Sequence, residues 1–444
     1  MLNAIVIGGG LAGSQAAIYL ADNNVKVKLY EMRPNKTTGA HTSSDFAEFV
    51  CSNSLGAQSV TSASGLLKEE ARLLGSKLIE EAYNNRVPSG NSLSIDRWGF
   101  SKKITQIIEN HPNIEIIREE ITQLPKTPTI VATGPLTSDS LCSEIKKLTG
   151  EDNFHFFDAV APIVKKETIN FEKAFYASRW DKGNADFINC PLNKDEYENF
   201  YNILTTAEKI PLKSFEAKYF EGCMPIEVIA SRGFDTLRFG PMKPVGLFDK
   251  RTREEHHKNY QFYAVVQLRQ DDKQADLYNL VGFQTNLKWG EQKKLINSIP
   301  ALENAQIVRY GVMHANTFIN SPKILNKTLQ TKFNPNLFFA GQITGVEGYS
   351  ESIATGLFAG INMLRHLRGE KLLELEAKCM LGALLEYITF ANHKAFQPIN
   401  SNWGIVEKPQ EVEKLKKKSK EEKGALLSNI ALEYIKEIRN GYFC

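Results

Sequence analysis

Apolar residues fall in short blocks near both ends of the chain, and each block runs into glycine. The first, Ala4-Ile5-Val6-Ile7, ends in Gly8-Gly9-Gly10. A continuous apolar run of this length, with no alternation, predicts a strand buried on both faces of a parallel sheet. Leu11 to Ala21 follows with alanine-rich helical spacing, and Asp22-Asn23-Asn24 stops it. Val25, Val27 and Leu29 then alternate with Lys26, Lys28 and Tyr30, which predicts a second strand and completes a strand–helix–strand unit. Far downstream, Ile130 to Pro135 and Asn336 to Gly341 predict two more buried strands that run into turns. The second of these feeds a glycine-rich run, 341–349, and a helix near 350–367. Between the blocks lie polar loops at 35–45 and 52–64, and one long helix from Gly65 to Asn84 carrying Lys68-Glu69-Glu70. A mixed region of strands without a helical pattern spans about 150 to 315, and the tail from about 375 to 440 reads as helical.

The first glycine run is Gly8-x-Gly10-x-x-Gly13, between a strand and a helix. In that setting Gly8 permits a tight turn, Gly10 lets a pyrophosphate approach the backbone, and Gly13 lets helix and strand pack closely. Gly9, Leu11 and Ala12 complete the turn, whose amides face an anion at the helix N-terminus. Glu31 closes the second strand about 20 residues on, where an acid binds a ribose 2′-hydroxyl. A 2′-phosphate would be repelled, so the site selects FAD or NAD over NADP. The downstream run Ala340-Gly341-Gln342-Ile343-Thr344-Gly345-Val346-Glu347-Gly348-Tyr349 favours FAD. A helix N-terminus there would stabilise negative charge on a reduced flavin, and Tyr349 would stack on its ring. Ser352, Gly356 and Gly360 share one face of the following helix, open to a flat ligand or to close backbone packing.

These readings predict an α/β fold. A doubly wound, Rossmann-like FAD-binding domain begins at residues 1–140, an α+β substrate domain is inserted at 141–315, and 316–444 returns to the FAD domain and adds a helical tail. The 444 residues, 42% of them hydrophobic, leave room for such a core. A formal net charge of +3 does not mark the whole chain as a nucleic-acid binder, so any RNA surface must be local. The basic tail run Lys414 to Lys420 is one candidate, although neighbouring glutamates also fit a solvated helix face. The mixed-charge segment holding His256 and His257 reads as surface. The six cysteines, Cys51, Cys142, Cys190, Cys223, Cys379 and Cys444, form no CxxC pair, and no histidine cluster lies near them. No disulfide framework or bound metal is expected, and a reducing cytoplasm is. The first residues enter a strand rather than a signal peptide, and no apolar run reaches the ~20 residues of a membrane span.

Over nearly its whole length the sequence resembles the folate- and FAD-dependent tRNA (uracil-5-)-methyltransferases. The matching segments include Gly8 to Ser14, Leu29-Tyr30-Glu31-Met32-Arg33-Pro34, Cys51-Ser52-Asn53-Ser54-Leu55 and Gly65 to Glu70. Further matches are Ala132 to Ser138, Tyr219-Phe220-Glu221-Gly222-Cys223-Met224-Pro225-Ile226-Glu227, Phe239 to Leu247, and Gly341 to Tyr349. The resemblance implies FAD at the glycine motif, Glu31 and Arg33, with its ring near Gly341, Gly348 and Tyr349. It also implies methylenetetrahydrofolate as carbon donor, NAD(P)H as reductant, and RNA as substrate with no obligatory protein partner. Cys223 and Cys51 are the implied catalytic residues. Uracil C5 is a poor nucleophile until a thiolate adds at C6, and cysteine reaches the thiolate near neutral pH as serine cannot. Cys223 is assigned that addition, and Cys51 the removal of the C5 proton. The family's usual target is the T-loop uridine, position 54, of tRNA. Three departures stand out: Gly56 and Ala315 where the family has arginine, and Gln15 where it has glutamate. The first two keep a 23S ribosomal RNA uridine open as an alternative target. A wobble-uridine modifying enzyme like the glucose-inhibited division protein A family, and a plain NAD(P)H-dependent flavin oxidoreductase, are the other readings.

Overall fold

The computed structural model describes residues 2–150, 154–211, 224–249, 262–409 and 419–442. Its central sheet is fully parallel, with strand order Leu337–Phe339, Thr129–Val131, Asn3–Ile7, Lys26–Tyr30, Ile114–Ile117. The two blocks that bracket the middle of the chain, residues 129–131 and 337–339, are neighbours in this sheet. The chain therefore leaves it after Val131 and rejoins it beside the strand it left. A second, antiparallel sheet holds Phe175–Ala177, Phe187–Leu192, Ala264–Gln270, Leu277–Leu280, Ile163–Lys165 and Ile307–Arg309. A ribbon of Phe154–Ala159 against Met313–Phe318 carries the chain out and back. Each large sheet has its own buried apolar cluster.

The Leu11–Asp22 helix is buried on nearly every side, which its alanines allow. One flank meets the Tyr349–Arg368 helix. There the Gly356 and Gly360 face lies against the backbone of Ala12 and Ala16, and a Cβ on Gly356 would sit 2.3 Å from the Ala12 carbonyl oxygen. Gly356 and Gly360 pack two helices together, so at these two the close-packing reading holds, while Ser352 at the start of the stripe lines the cavity along the C-terminal edge of the parallel sheet.

Three elements differ from the expectation drawn from pattern. The helix expected over Gly65–Asn84 is two helices, Ala63–Leu73 and Lys77–Asn84. They break at Gly75 (φ 92°), and Ser76 caps the second. Gln15 fixes that corner, because its Oε1 accepts from Ser76 Oγ (2.7 Å) and Leu78 N (3.0 Å). The segment 52–64 holds a short strand, Ser54–Ala57. The middle region holds helices as well as strands, at Lys194–Thr206, Ile226–Ser231 and Trp289–Asn297. Lys68 and Glu70 are both fully buried. Glu70 accepts the backbone N–H groups of Met380 and Leu381 at the start of the Met380–Phe390 helix.

Candidate functional site

A cavity of about 970 Å³, part of it open to solvent, runs along the C-terminal edge of the parallel sheet. Ligands bind there in open α/β sheets, where strand ends and helix starts leave backbone amides unpaired. The turn Gly8 to Ala12, Glu31, Arg33, the turn Thr133 to Ser138, Gly341 and Tyr349 all line it. Gly13 packs on the turn from behind: a Cβ there would lie 1.8 Å from the Gly8 carbonyl oxygen. At Gly10 the position of a Cβ has no neighbour within 4 Å. Gly10 is also the N-cap of the first helix and makes no side-chain cap, so the amides of the first turn face open space. Gly348 caps the Tyr349–Arg368 helix in the same uncapped way, at φ 122°.

The carboxylate of Glu31 is tightly held. Its Oε2 accepts from Gly9 N (2.8 Å), and its Oε1 accepts from Arg33 N (3.0 Å) and Arg33 Nε (2.9 Å). Burial pushes its pKa up, but the charge and hydrogen bonds of Arg33 and the Gly9 amide outweigh that and hold it below the usual carboxylate range. A carboxylate has about four acceptor positions, so Oε2 keeps one for a hydroxyl in the cavity. Arg33 is turned inward, donating through Nη1 to Ser43 O and Glu48 Oε2, both at 3.1 Å. Its guanidinium buttresses the 41–48 loop behind the cavity wall.

Toward the antiparallel half of the molecule the cavity reaches Val50 and Tyr349, and Cys51 lies next to them. The hydroxyl of Tyr349 accepts from Cys51 N (2.7 Å), and its ring leans on Phe49 with centroids 4.4 Å apart. Arg97 donates to Phe49 O (3.0 Å) and pairs with the fully buried Asp271 through Nε and Nη2, both at 2.8 Å. Asn53 donates to Ile95 O and Gln270 O, both at 2.9 Å, tying the Cys51 segment to the antiparallel sheet. Two further arginines face this corner. Arg309 donates to Ala40 O (2.9 Å) and Val50 O (2.8 Å), while its buried Nη1 has no partner. Arg269 leaves a buried Nε without one. Burial, together with repulsion from Arg97, lowers the Arg269 pKa to about 10 despite the pull of Asp271. The corner thus combines a cysteine, an aromatic ring and spare N–H donors, a combination suited to a planar ligand that develops negative charge.

Of the residues expected from sequence, Gly8, Gly9, Gly10, Leu11, Ala12, Glu31, Arg33, Gly341 and Tyr349 share this cavity, with Gly13 packed behind the glycine turn and Gly348 immediately preceding Tyr349. Cys51 is outside the cavity lining, and its backbone N–H donates to the hydroxyl of Tyr349, which is part of it. Cys223 lies outside the described residues, as do Cys444, His256, His257 and Lys414 to Lys418. Gly56 has φ 79°, where a side chain is strained and its Cβ would meet Ser64 Oγ at 2.9 Å. Ala315 sits in the ribbon opposite Phe157. Pattern alone missed Arg97, Arg269, Asp271 and Arg309. Among the described residues no group of three or more His, Cys, Asp or Glu is placed to hold a metal, and no helix is long and apolar enough to cross a membrane.

Comparison with known proteins bears on the family and the fold. The family model described as "Glucose inhibited division protein A" matches residues 3–371. A protein of Anoxybacillus flavithermus named methylenetetrahydrofolate--tRNA-(uracil-5-)-methyltransferase TrmFO is 55% identical over 421 residues, covering 95% of this chain and 96% of its own. One of the same name from Ligilactobacillus salivarius is 53% identical and covers 98% of each chain. Among solved structures, Aquifex aeolicus GidA superposes with a TM-score of 0.68 at 15% identity, over 99% of this chain and 73% of that one. That last likeness bears on the fold alone.

Proposed function

The chain belongs to the glucose inhibited division protein A family, within it to the methylenetetrahydrofolate--tRNA-(uracil-5-)-methyltransferases, and from that premise we propose that it methylates C5 of a uridine in tRNA. The T-loop uridine is the proposed target, methylenetetrahydrofolate the carbon donor and NAD(P)H the reductant. One observation carries the reading beyond the family name. The cavity that begins at an uncapped, glycine-lined helix start ends at Tyr349, whose hydroxyl holds the backbone of Cys51. This supports a reading in which the dinucleotide site extends to Tyr349, the residue that holds the backbone of a candidate catalytic cysteine.

The cavity residues fit FAD. Gly10 leaves room for a pyrophosphate, the first-turn amides favour its charge, and Glu31 has an acceptor position free for a ribose hydroxyl. Bound there, FAD would supply electrons from the nicotinamide and the one-carbon transfer. The chain's own part is to activate the base. In the proposed scheme Cys223 adds through sulfur to uracil C6, which makes C5 nucleophilic, and Cys51 takes the C5 proton after the new carbon–carbon bond has formed. Loss of that proton would release the new carbon from its carrier as an exocyclic methylene, and hydride delivery to the methylene would expel the Cys223 thiolate, restoring the ring double bond and leaving the methyl. Arg269 and Arg309 would stabilise the oxyanion of the uracil enolate.

The test is reconstitution of the purified chain with FAD, isotopically labelled methylenetetrahydrofolate, and NADH or NADPH. Transcripts of tRNA and of 23S ribosomal RNA domains serve as substrates, followed by mass mapping of methylated uridines. Label at the T-loop uridine is the expected result. Label only in the ribosomal transcripts would move the substrate, and label in neither would remove the activity.

A further inference from the structure

The loop after Phe175–Ala177 carries an exposed tryptophan in a conformation that tryptophan avoids. Trp180 has φ 61° and ψ 27°, and Asp181 follows at φ 49°. A bulky side chain in the left-handed region is a genuine outlier, and an arrangement of that kind persists only when its surroundings impose it. Here they do. Trp180 N donates to Gly246 O (2.7 Å). Arg179 clamps the same segment, donating to Val245 O (2.6 Å), Lys243 O (2.8 Å) and Gln267 Oε1 (3.0 Å). Gly246 completes the seat. A Cβ on it would lie 2.7–2.9 Å from Cε2, Cδ2 and Nε1 of the indole, three atoms around one ring, so the bare glycine backbone faces the flat of the indole. The side chain is nevertheless 59% exposed. One face of the indole rests on glycine, and the other is offered to solvent.

Strand register bounds the distance from this platform to the Cys51 corner. Ala177 pairs with Phe187, and Phe187 with Arg269. The end of the Phe175–Ala177 strand is therefore level with Arg269, which feels Cys51 and Tyr349. Trp180 is three residues further, so it lies within about 20 Å of Arg269, counting roughly 10 Å across two strand spacings and 10 Å along the chain. Asp186 in the same loop accepts from Gly90 N (2.7 Å), so the loop meets the cofactor-binding half directly. Lys182 and Lys243 are exposed beside the tryptophan, one on each of the two clamped segments.

We propose that Trp180, seated on Gly246 and fixed by Arg179, is a stacking platform for an unpaired RNA base next to the target uridine, with Lys182 and Lys243 drawing in the flanking phosphates. This inference rests on the reading of the chain as an RNA-modifying enzyme and adds the surface that grips the RNA. A ring with one supported and one open face, between lysines, suits single-stranded nucleic acid. A target base drawn out of folded RNA leaves neighbours that need such a partner.

The test compares wild type, Trp180→Asn, Trp180→Phe and Gly246→Ala, all loaded with FAD. Binding of a tRNA transcript is measured over a range of salt concentrations, alongside KM for RNA and for methylenetetrahydrofolate. Asparagine tolerates the left-handed backbone, so Trp180→Asn removes the ring and spares the loop. Its RNA affinity is expected to fall roughly tenfold with an unchanged salt slope, because stacking releases no counterions. Trp180→Phe should recover most of that loss, and Gly246→Ala, which displaces the ring, should reproduce it. Lys182→Gln with Lys243→Gln should instead flatten the salt slope. Unchanged RNA affinity in Trp180→Asn, beside a wild type that binds RNA, overturns the platform and leaves the enzyme reading intact. A rise in folate KM without a change in RNA affinity overturns it too, assigning the ring to the folate tail. A wild type that binds no tRNA removes the functional reading itself.

Discussion

The two ends of the cavity follow opposite electrostatic plans. At the Gly8–Glu31 end the charges are matched within the protein: Glu31 pairs with Arg33, Arg33 with Glu48, and Glu48 with the 42–43 turn. At the Cys51 end Asp271 is spent on Arg97, and Arg269 and Arg309 have no carboxylate contact among the described residues. Buried donors there are left over. A matched network fixes a shape before its ligand arrives, whereas unmatched buried cations raise the energy of the empty protein and lower that of a state that brings an anion. The first plan suits a resident cofactor, the second a charge that exists only during reaction.

The sharpest way to break this contrast is to remove the chemistry and ask whether the resident site notices. Cys223→Ser should lose uridine methylation by more than about 10³-fold, as expected for deleting a covalent nucleophile. FAD uptake, followed by flavin absorbance, should stay at the wild-type level. Methylation at a normal rate would take the nucleophile's role from Cys223.

Next in size is Arg269→Met, which should act in opposite directions on stability and activity. Removing one oxyanion donor costs on the order of 10² in rate. Removing a buried cation without a carboxylate partner should raise the unfolding midpoint in urea, by about 1 kcal/mol in free energy. A variant that is both less active and less stable would show that Arg269 serves the fold, and the contrast between the two ends would collapse.

Glu31→Gln tests the matched end. FAD affinity should fall about tenfold, since an amide accepts more weakly from Gly9 and presents a donor to a ribose hydroxyl. Stability should fall too, by roughly 2 kcal/mol, because Arg33 loses one of its two buried carboxylates. Flavin fluorescence titration reads the first effect and urea unfolding the second. Unchanged FAD affinity would move the ribose contact elsewhere on the cavity wall.

The same contrast explains what could be read from sequence. The glycine turn, Glu31 and the parallel strands were legible because each is local: a strand, a turn and a helix start within about 30 residues. Tyr349 was placed at the cavity by its own glycine run. The Cys51 corner was not legible in its cations, because Arg97, Arg269 and Arg309 come from three distant elements. Each reads alone as an ordinary charged position, and only the antiparallel sheet brings them together. The Gly75–Ser76 break was hidden for a related reason, since the partner that fixes it, Gln15, lies 61 residues from Ser76. Lys68-Glu69-Glu70 shows the limit of pattern most clearly. Glu69 pairs with Arg72 at the surface, while its two neighbours are buried in contacts with Leu55, Ser64, Met380 and Leu381.

Glu70 supplies the smallest and most specific test, because it inverts the logic of Glu31 within one half of the molecule. Both are buried carboxylates that accept backbone N–H groups. Glu31 has Arg33 beside it and its pKa is lowered, so its contribution to stability is present above the unfolded value of 4.5 and fades as the pH falls through its folded one. Glu70 accepts the Met380 and Leu381 amides, and burial outweighs them, raising its pKa to about 7. Between pH 4.5 and about 7 the folded chain therefore keeps a proton on Glu70 that the unfolded chain has lost, so stability falls as pH rises across that window and is level above it. A shift of this size corresponds to about 3 kcal/mol at most. Glu70→Gln cannot titrate, so it should lack that fall. Its carbonyl satisfies one of the two amides, which costs a constant amount and leaves the slope free of the mutation's own penalty. Urea unfolding at pH 5 and pH 7.5 then gives two differences, and only their difference matters. If wild type and Glu70→Gln lose stability in parallel, the carboxylate is ionised throughout. The helix dipole at Met380 would then outweigh burial, as the Arg33 charge does at Glu31.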